Sequence, residues 1–235
     1  MGENLLEVRN LSKRFGGFIA LNNISFDVAA GERVGLIGPN GSGKSTFVNC
    51  ISGTLMLTTG TVTLDRRRIE HLAPHQRTRM GLARSFQLPR PFGSMSVADN
   101  LKVPVLYAGR GGEASAMQLL EQIGLADKSE KLPRELTQIE LRKLELARAM
   151  AANPRLLIAD EAMAGLSHTE VDELLALLLR LSEQGVAIIM IEHIMRAVMA
   201  FSQRIACFVA GHKVADGDPQ EVIRHPEVLR AYLGE

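Results

Sequence analysis

Residues Gly38–Thr46 read GPNGSGKST. Gly38, Gly43, Lys44 and Ser45 occupy the fixed places of the phosphate-binding pattern G-x-x-x-x-G-K-[ST]. The flanks support the match. Arg33–Ile37 (RVGLI) suits a short buried strand, and Ser45–Ile51 continues as a helix. A strand, a glycine-rich turn and a helix N-terminus make an anion site, because unpaired backbone N–H groups and the helix dipole face the same point. Gly38, Pro39, Asn40, Gly41, Ser42, Gly43, Lys44, Ser45 and Thr46 are therefore the candidate phosphate cradle. Gly41 and Gly43 let backbone approach phosphate without a Cβ. Lys44 is expected at the β/γ-phosphates and the Ser45 hydroxyl on Mg²⁺.

The rest of the chain reads as an α/β fold around this loop. Apolar strands are expected at Arg155–Asp160 (RLLIAD) and Val186–Ile191 (VAIIMI), with helices at Leu136–Ala152, Thr169–Gln184 and Ile194–Phe201. Continuous apolar strands separated by helices indicate a mostly parallel sheet covered on both faces. Ligands of such sheets sit beyond the strand C-termini. The cradle, Asp160-Glu161 and His193 all lie at such ends and are expected to converge. Leu5–Leu11 and Ala20–Val28 read as strands, with Ser12–Phe18 a loop between them; Thr61–Leu64 and the pair Ile205–Val209 and Lys213–Asp216 are further short strands. Pro89 to Glu135 reads as an all-helical insertion with a joint at Gly109–Gly112, and a final helix breaks at Pro226.

At 235 residues, with 46% hydrophobic and 23% charged content, the chain is an ordinary globular composition with room for a substantial core. A formal net charge of +1 and 4% aromatic content give no basic field or stacking platform, so no nucleic-acid partner is expected. Arg66-Arg67-Arg68 is the one basic run and reads as a solvated turn. Cys50 and Cys207 sit in apolar stretches and read as buried hydrophobes. No apolar run is long enough to span a bilayer, and the N-terminus lacks the apolar core of a signal peptide.

Asp160, closing a buried strand, suits a Mg²⁺ acceptor, and Glu161 beside it suits a general base. Either acid could instead cap the following turn. His193 could sense the γ-phosphate and Gln87 could bridge Mg²⁺ and water, though each alone is more often structural. Phe15 reads equally as a strand-end core residue or as a face for stacking adenine.

In this order the motifs resemble those of the ATP-binding subunits of ABC transporters, over essentially the whole chain. The resemblance implies a P-loop NTPase (ABC ATPase) fold, with a mostly parallel central sheet, an antiparallel β subdomain and a small helical subdomain. Residues 1–235 would form one ATPase domain, with about 89–152 as the helical subdomain that includes the signature helix. It implies Phe15 as the adenine-stacking aromatic, Gln87 in RSFQ as the glutamine that contacts the membrane subunit, Ala164–Ser167 as a dimer-contact loop and His193 as the switch histidine. Catalysis would rest on Glu161, His193 and Lys44, and Mg²⁺ on Ser45, Gln87 and Asp160, with ATP as the nucleotide. SKRFGG at Ser12–Gly17, GLARSFQ at Gly81–Gln87, EHIMRAVM at Glu192–Met199 and the C-terminal GDPQEVIRHPEVLRAYLGE look closer to the ATPases of branched-chain and other hydrophobic amino acid uptake systems.

One stretch departs from the family. Where the signature LSGGQ is usual, this chain has Leu136-Thr137-Gln138-Ile139-Glu140. Thr137 preserves the hydroxyl, but Ile139 puts a branched side chain where a glycine normally lets backbone approach phosphate. Ala162 also replaces a usual proline. The resemblance implies transmembrane permease subunits as partners, a second ATPase subunit (a heterodimer, with a homodimer as the alternative) and, indirectly, a periplasmic or extracellular solute-binding protein. It implies a peripheral place on the cytoplasmic face of the cell membrane. Rival readings are a soluble ABC-type ATPase uncoupled from transport, a P-loop kinase, and an ATP-binding regulatory subunit without turnover.

Overall fold

A computed structural model describes residues 4–108 and 113–233. The first two strands, β1 (Asn4–Phe15) and β2 (Phe18–Ala29), pair antiparallel along their length. The loop expected at Ser12–Phe18 is therefore mostly strand: β1 runs through to Phe15 and the connection is only Gly16-Gly17. Gly16 sits at φ +57°, which is what a two-residue hairpin requires and a glycine supplies freely. β3 (Arg33–Ile37) leads through the cradle into α1 (Lys44–Ser52), and β4 (Thr59–Leu64) with β5 (Arg67–Arg68) completes a second hairpin. Its two turn residues, Asp65 and Arg66, both have positive φ, so the arginine run is turn and exposed edge.

The middle of the chain is α2 (Pro74–Arg79), β6 (Leu82–Ser85), α3 (Val97–Ala108), α4 (Glu113–Ile123) and α5 (Gln138–Met150). The joint expected at Gly109–Gly112 lies outside the described residues. α5 starts two residues later than its apolar pattern suggests because Thr137 is its N-cap, accepting from the Glu140 N–H while the Glu140 carboxylate accepts from the Thr137 N–H. Then come β7 (Leu156–Asp160), α6 (His168–Glu183), β8 (Ala187–Ile191), α7 (Met195–Phe201), β9 (Arg204–Val209) and β10 (His212–Gly217). Two short helices, α8 (Pro219–Val222) and α9 (Pro226–Leu233), end the chain. Among the described residues no helix is long and apolar enough to cross a membrane.

Among the described residues the strands form two sheets. One is antiparallel, in the order β2-β1-β4-β5; the other runs β10-β9-β3-β8-β7-β6 and is parallel except for β10. Strand alternation sorts the parallel sheet onto two cores. Leu156, Ile158, Ile189 and Ile191 join α1 and the antiparallel sheet in one cluster. Leu157, Ala159, Ile188 and Met190 join α6 and the helices α3, α4 and α5 in the other. Phe47 of α1 packs edge-to-face on Phe26 at 5.3 Å and on Phe208 at 5.2 Å, fixing α1 between the sheets.

The far end of α1 is closed by Arg77 from α2. Its guanidinium is fully buried and donates to the carbonyls of Cys50 and Ile51 (both 2.8 Å), Leu72 (2.9 Å) and Glu70 (3.0 Å). Two of these are orphan carbonyls of the last helical turn, where a cation also complements the dipole. Gly53 follows at φ +84°, and a Cβ there would lie 2.7 Å from Arg77 Nε. Helix and cap are thus built together.

Candidate functional site

The cradle's glycines have different reasons to be glycine. Gly38, at φ +146°, would bring a Cβ to 2.1 Å from the Phe208 carbonyl oxygen, and Gly43, at φ +105°, to 2.7 Å from Leu21 Cδ2. Gly41, at φ +79°, has nothing within 4 Å of such a Cβ. The freedom assigned to Gly43 on the ground of phosphate approach is required first by β2; at Gly41 the space beside the backbone is open to a ligand. The cradle is tied to the antiparallel sheet through Gly211, which donates to Ser42 O and accepts from Asn22 N–H. Phe15, at the tip of the β1–β2 hairpin, is half exposed with Lys13 Nζ 4.9 Å above its ring. It is not a core residue.

Lys44 is 5% exposed and donates to Gly38 O (2.6 Å) and Pro39 O (3.1 Å). Burial lowers its pKa, opposed by the nearby charges of Glu161 and Asp160. Ser45, Gln87, Asp160 and Glu161 line one cavity together with Arg84 and Phe86. Strand ends bring them there: β6 delivers Arg84 and, just beyond it, Gln87, while β7 delivers Asp160 and Glu161.

Both oxygens of the Glu161 carboxylate are engaged. Gln87 Nε2 donates to Oε2 at 2.5 Å, and His193 Nε2 lies 3.1 Å from Oε1. Three residues far apart in sequence are thus one hydrogen-bonded group, beside Asp160 and next to Ser45. Thr137 is not among them; its hydroxyl caps α5.

Some of this site was not anticipated. Arg84 Nη2 pairs with Asp160 Oδ2 at 2.6 Å, while Nη1 reaches Asn49 Oδ1 at 2.7 Å. Its signal was an arginine three places before Gln87 on a short strand. Tyr232 in α9 accepts from the Gly38 N–H, and only the last turn of the final helix carries that information. Glu192, immediately before His193, is 3% exposed, and burial pushes its carboxyl up to about 7.

The ABC transporter family profile matches residues 21–164, and a profile described as branched-chain amino acid ATP-binding cassette transporter matches residues 212–235. The chain is 39% identical to the high-affinity branched-chain amino acid transport ATP-binding protein LivG of Salmonella typhimurium, covering 100% of both chains. It is 37% identical to the corresponding protein BraF of Pseudomonas aeruginosa, again over 100% of both. The crystal structure of a nucleotide-free ATP-binding cassette from an ABC transporter superposes with a TM-score of 0.90 at 28% identity, over 99% of this chain and 100% of the other. The cradle, the paired acids and the histidine thus stand on a cassette fold, and the chain belongs to the ABC transporter family as one of its ATP-binding ATPase subunits.

Proposed function

We propose that the chain powers an importer of branched-chain or other hydrophobic amino acids by hydrolysing Mg-ATP. The observation that carries the ATPase half is the Gln87–Glu161–His193 group, set beside Asp160 and Ser45 at the strand ends. The substrate half is supported by the relatives' transport of branched-chain amino acids and by the C-terminal profile at 212–235.

In this reading adenine stacks on Phe15, and the phosphates lie on the N–H groups and side chains of Gly38–Thr46, with Lys44 at the β/γ-phosphates. Ser45, Asp160 and Gln87 would hold Mg²⁺; a hydroxyl, a carboxylate and an amide around one cavity are the hard oxygen donors that ion takes. Bound there, Mg²⁺ would neutralise phosphate charge. Glu161 accepts the proton of the attacking water as its oxygen bonds to the γ-phosphorus and the bond to ADP breaks. His193 and Gln87 keep the carboxylate aimed.

The same reading makes residues 89–152 a helical unit that meets the permease. Leu88, 68% exposed, Phe92 and Met95 would hold a helix of the membrane subunit. The chain would sit peripherally on the cytoplasmic membrane face, with a solute-binding protein across the membrane. Thr137 would face nucleotide held by a second ATPase subunit. Because Ile139 stands in the signature, a heterodimer is favoured over a homodimer: this chain's own nucleotide would meet the partner's signature, and the partner's nucleotide a weaker one. An Ile139→Gly transporter with unchanged ATPase activity would refute that asymmetry.

The test of the function is ATP hydrolysis by the tagged chain co-purified with its membrane subunits and binding protein. Leucine, isoleucine or valine should raise hydrolysis, and Glu161→Gln should abolish it. A complex that hydrolyses ATP but ignores all three amino acids would remove the substrate assignment.

A further inference from the structure

We infer that Glu192 and Arg142 are positioning residues that clamp the segment after Glu161 and hold that carboxylate in its working orientation. This rests on Glu161 acting as the base.

Glu161 sits at φ +47°, the left-handed region that a non-glycine residue occupies only when its surroundings enforce it. Its own N–H is fixed by Ile191 O at 2.9 Å. Its carbonyl accepts the Ala164 N–H at 3.3 Å, which closes one turn and leaves Met163 and the Ala164 carbonyl to be held from elsewhere. Two and three residues on, the backbone is gripped from both sides. Glu192 Oε1 accepts the Met163 N–H at 2.8 Å, and Arg142 Nη2 donates to the Ala164 carbonyl at 3.0 Å. Glu192 comes from the end of β8, one residue before His193; Arg142 comes from α5, five residues after Thr137. Both side chains are buried, and Glu192 and Arg142 attract each other electrostatically. Neither touches the cavity that holds Gln87 and Asp160.

The consequence is geometric. The segment leaving Glu161 is tied to the strand that carries His193 and to the helix that begins at the signature. If α5 shifts, Arg142 carries the Ala164 carbonyl with it, and the left-handed turn at Glu161 must follow. The acid and base thus make Glu161 answer to movements of the signature helix within its own chain.

The experiment compares Glu192→Ala, Glu192→Gln, Arg142→Met and Glu161→Gln in the assembled transporter, measuring kcat and KM for ATP. A crystal structure of Glu192→Ala accompanies them. Glu192→Ala and Arg142→Met are expected to lower kcat at least tenfold with KM for ATP within twofold. Glu192→Gln keeps an acceptor for the Met163 N–H and should stay within threefold of the parent. In the Glu192→Ala crystal, Glu161 should leave the left-handed region. Should Glu192→Ala fail to fold, Arg142→Met tests the other side of the clamp alone. Parent-like kcat in Arg142→Met and Glu192→Ala, with Glu161→Gln inactive, would overturn the clamp and leave the base assignment standing. A Glu161→Gln enzyme that turns over normally would overturn both. A Glu192→Gln variant as slow as Glu192→Ala would also overturn the clamp, because the hydrogen bond would not then be the working contact.

Discussion

The hydroxyl of Tyr232, in the last turn of α9, accepts a hydrogen bond from the backbone N–H of Gly38 at 2.9 Å. The final helix is thereby fastened to the first glycine of the phosphate cradle. Tyr232→Phe keeps the ring, which lines one cavity with Ile37 and Met195, and removes only the acceptor. A lost hydrogen bond of this kind costs about 1 kcal/mol, which in a domain of this size is a fall in Tm of about 2–4 °C. Thermal unfolding of parent and variant would show it, and an unchanged Tm would mean that solvent replaces the hydroxyl without cost.

Substituting the cradle's glycines should separate folding from binding. Gly38→Ala forces a Cβ into the Phe208 carbonyl and should cost several kcal/mol, on the order of 3 or more. Gly41→Ala meets no atom and pays only for its left-handed backbone, about 1–2 kcal/mol. The first variant is expected to be poorly folded. The second should be folded but weakened for ATP, because its methyl group occupies the ligand's side of the loop. Circular dichroism and ATP titration on both proteins decide this; a well-folded Gly38→Ala would contradict the close approach of β9.

Glu192 makes stability depend on pH. Burial raises its carboxyl to about 7 from the ordinary 4.5. Between those values the folded chain binds a proton that the unfolded chain has lost, so this residue's contribution falls as pH rises and levels off above 7. Glu192→Gln removes the dependence. The stability difference between pH 5 and pH 8 should shrink by on the order of 3 kcal/mol. Urea unfolding at the two pH values measures it, and an unchanged difference would mean that Glu192 is ionised throughout.

Arg77→Met should be among the most destabilising single changes. Methionine fits the volume but offers no donor, leaving three buried carbonyls and the half-buried Leu72 carbonyl without their partner. The expected loss is on the order of 3–5 kcal/mol, with ATP affinity falling as α1 loses its C-terminal anchor. A urea midpoint within experimental error of the parent would show that water caps the helix equally well.

What could be read from sequence was what is written locally. GPNGSGKST, the apolar strand before Asp160-Glu161 and the strand before His193 each announce themselves within about ten residues, and the parallel sheet follows from their spacing. The hairpin at Gly16-Gly17 was missed because two glycines flanked by exposed residues look the same in a loop as in a tight turn. The demand on Gly38 was invisible because the obstructing atom belongs to Phe208. Arg142 and Glu192 carry the letters of surface residues, and only the fold shows that both are buried and that they grip one stretch of backbone. Charged residues on core-facing positions are legible as anomalies, but their partners are not.

The place of β3 in the sheet has a consequence for how the chain is made. β3 carries the phosphate cradle, yet Val34 registers with Ile189 on one side and with Arg204 on the other. During synthesis the cradle emerges early and waits for both neighbours until residues 187–209 exist. The β1–β2 hairpin can close as soon as it leaves the ribosome, whereas β3 depends on contacts of long sequence separation, which form slowly. A nascent or truncated chain ending before Arg204 should therefore carry the whole GPNGSGKST string and hold no ATP. Nucleotide capture would mark the moment at which β3 has both its neighbours in place.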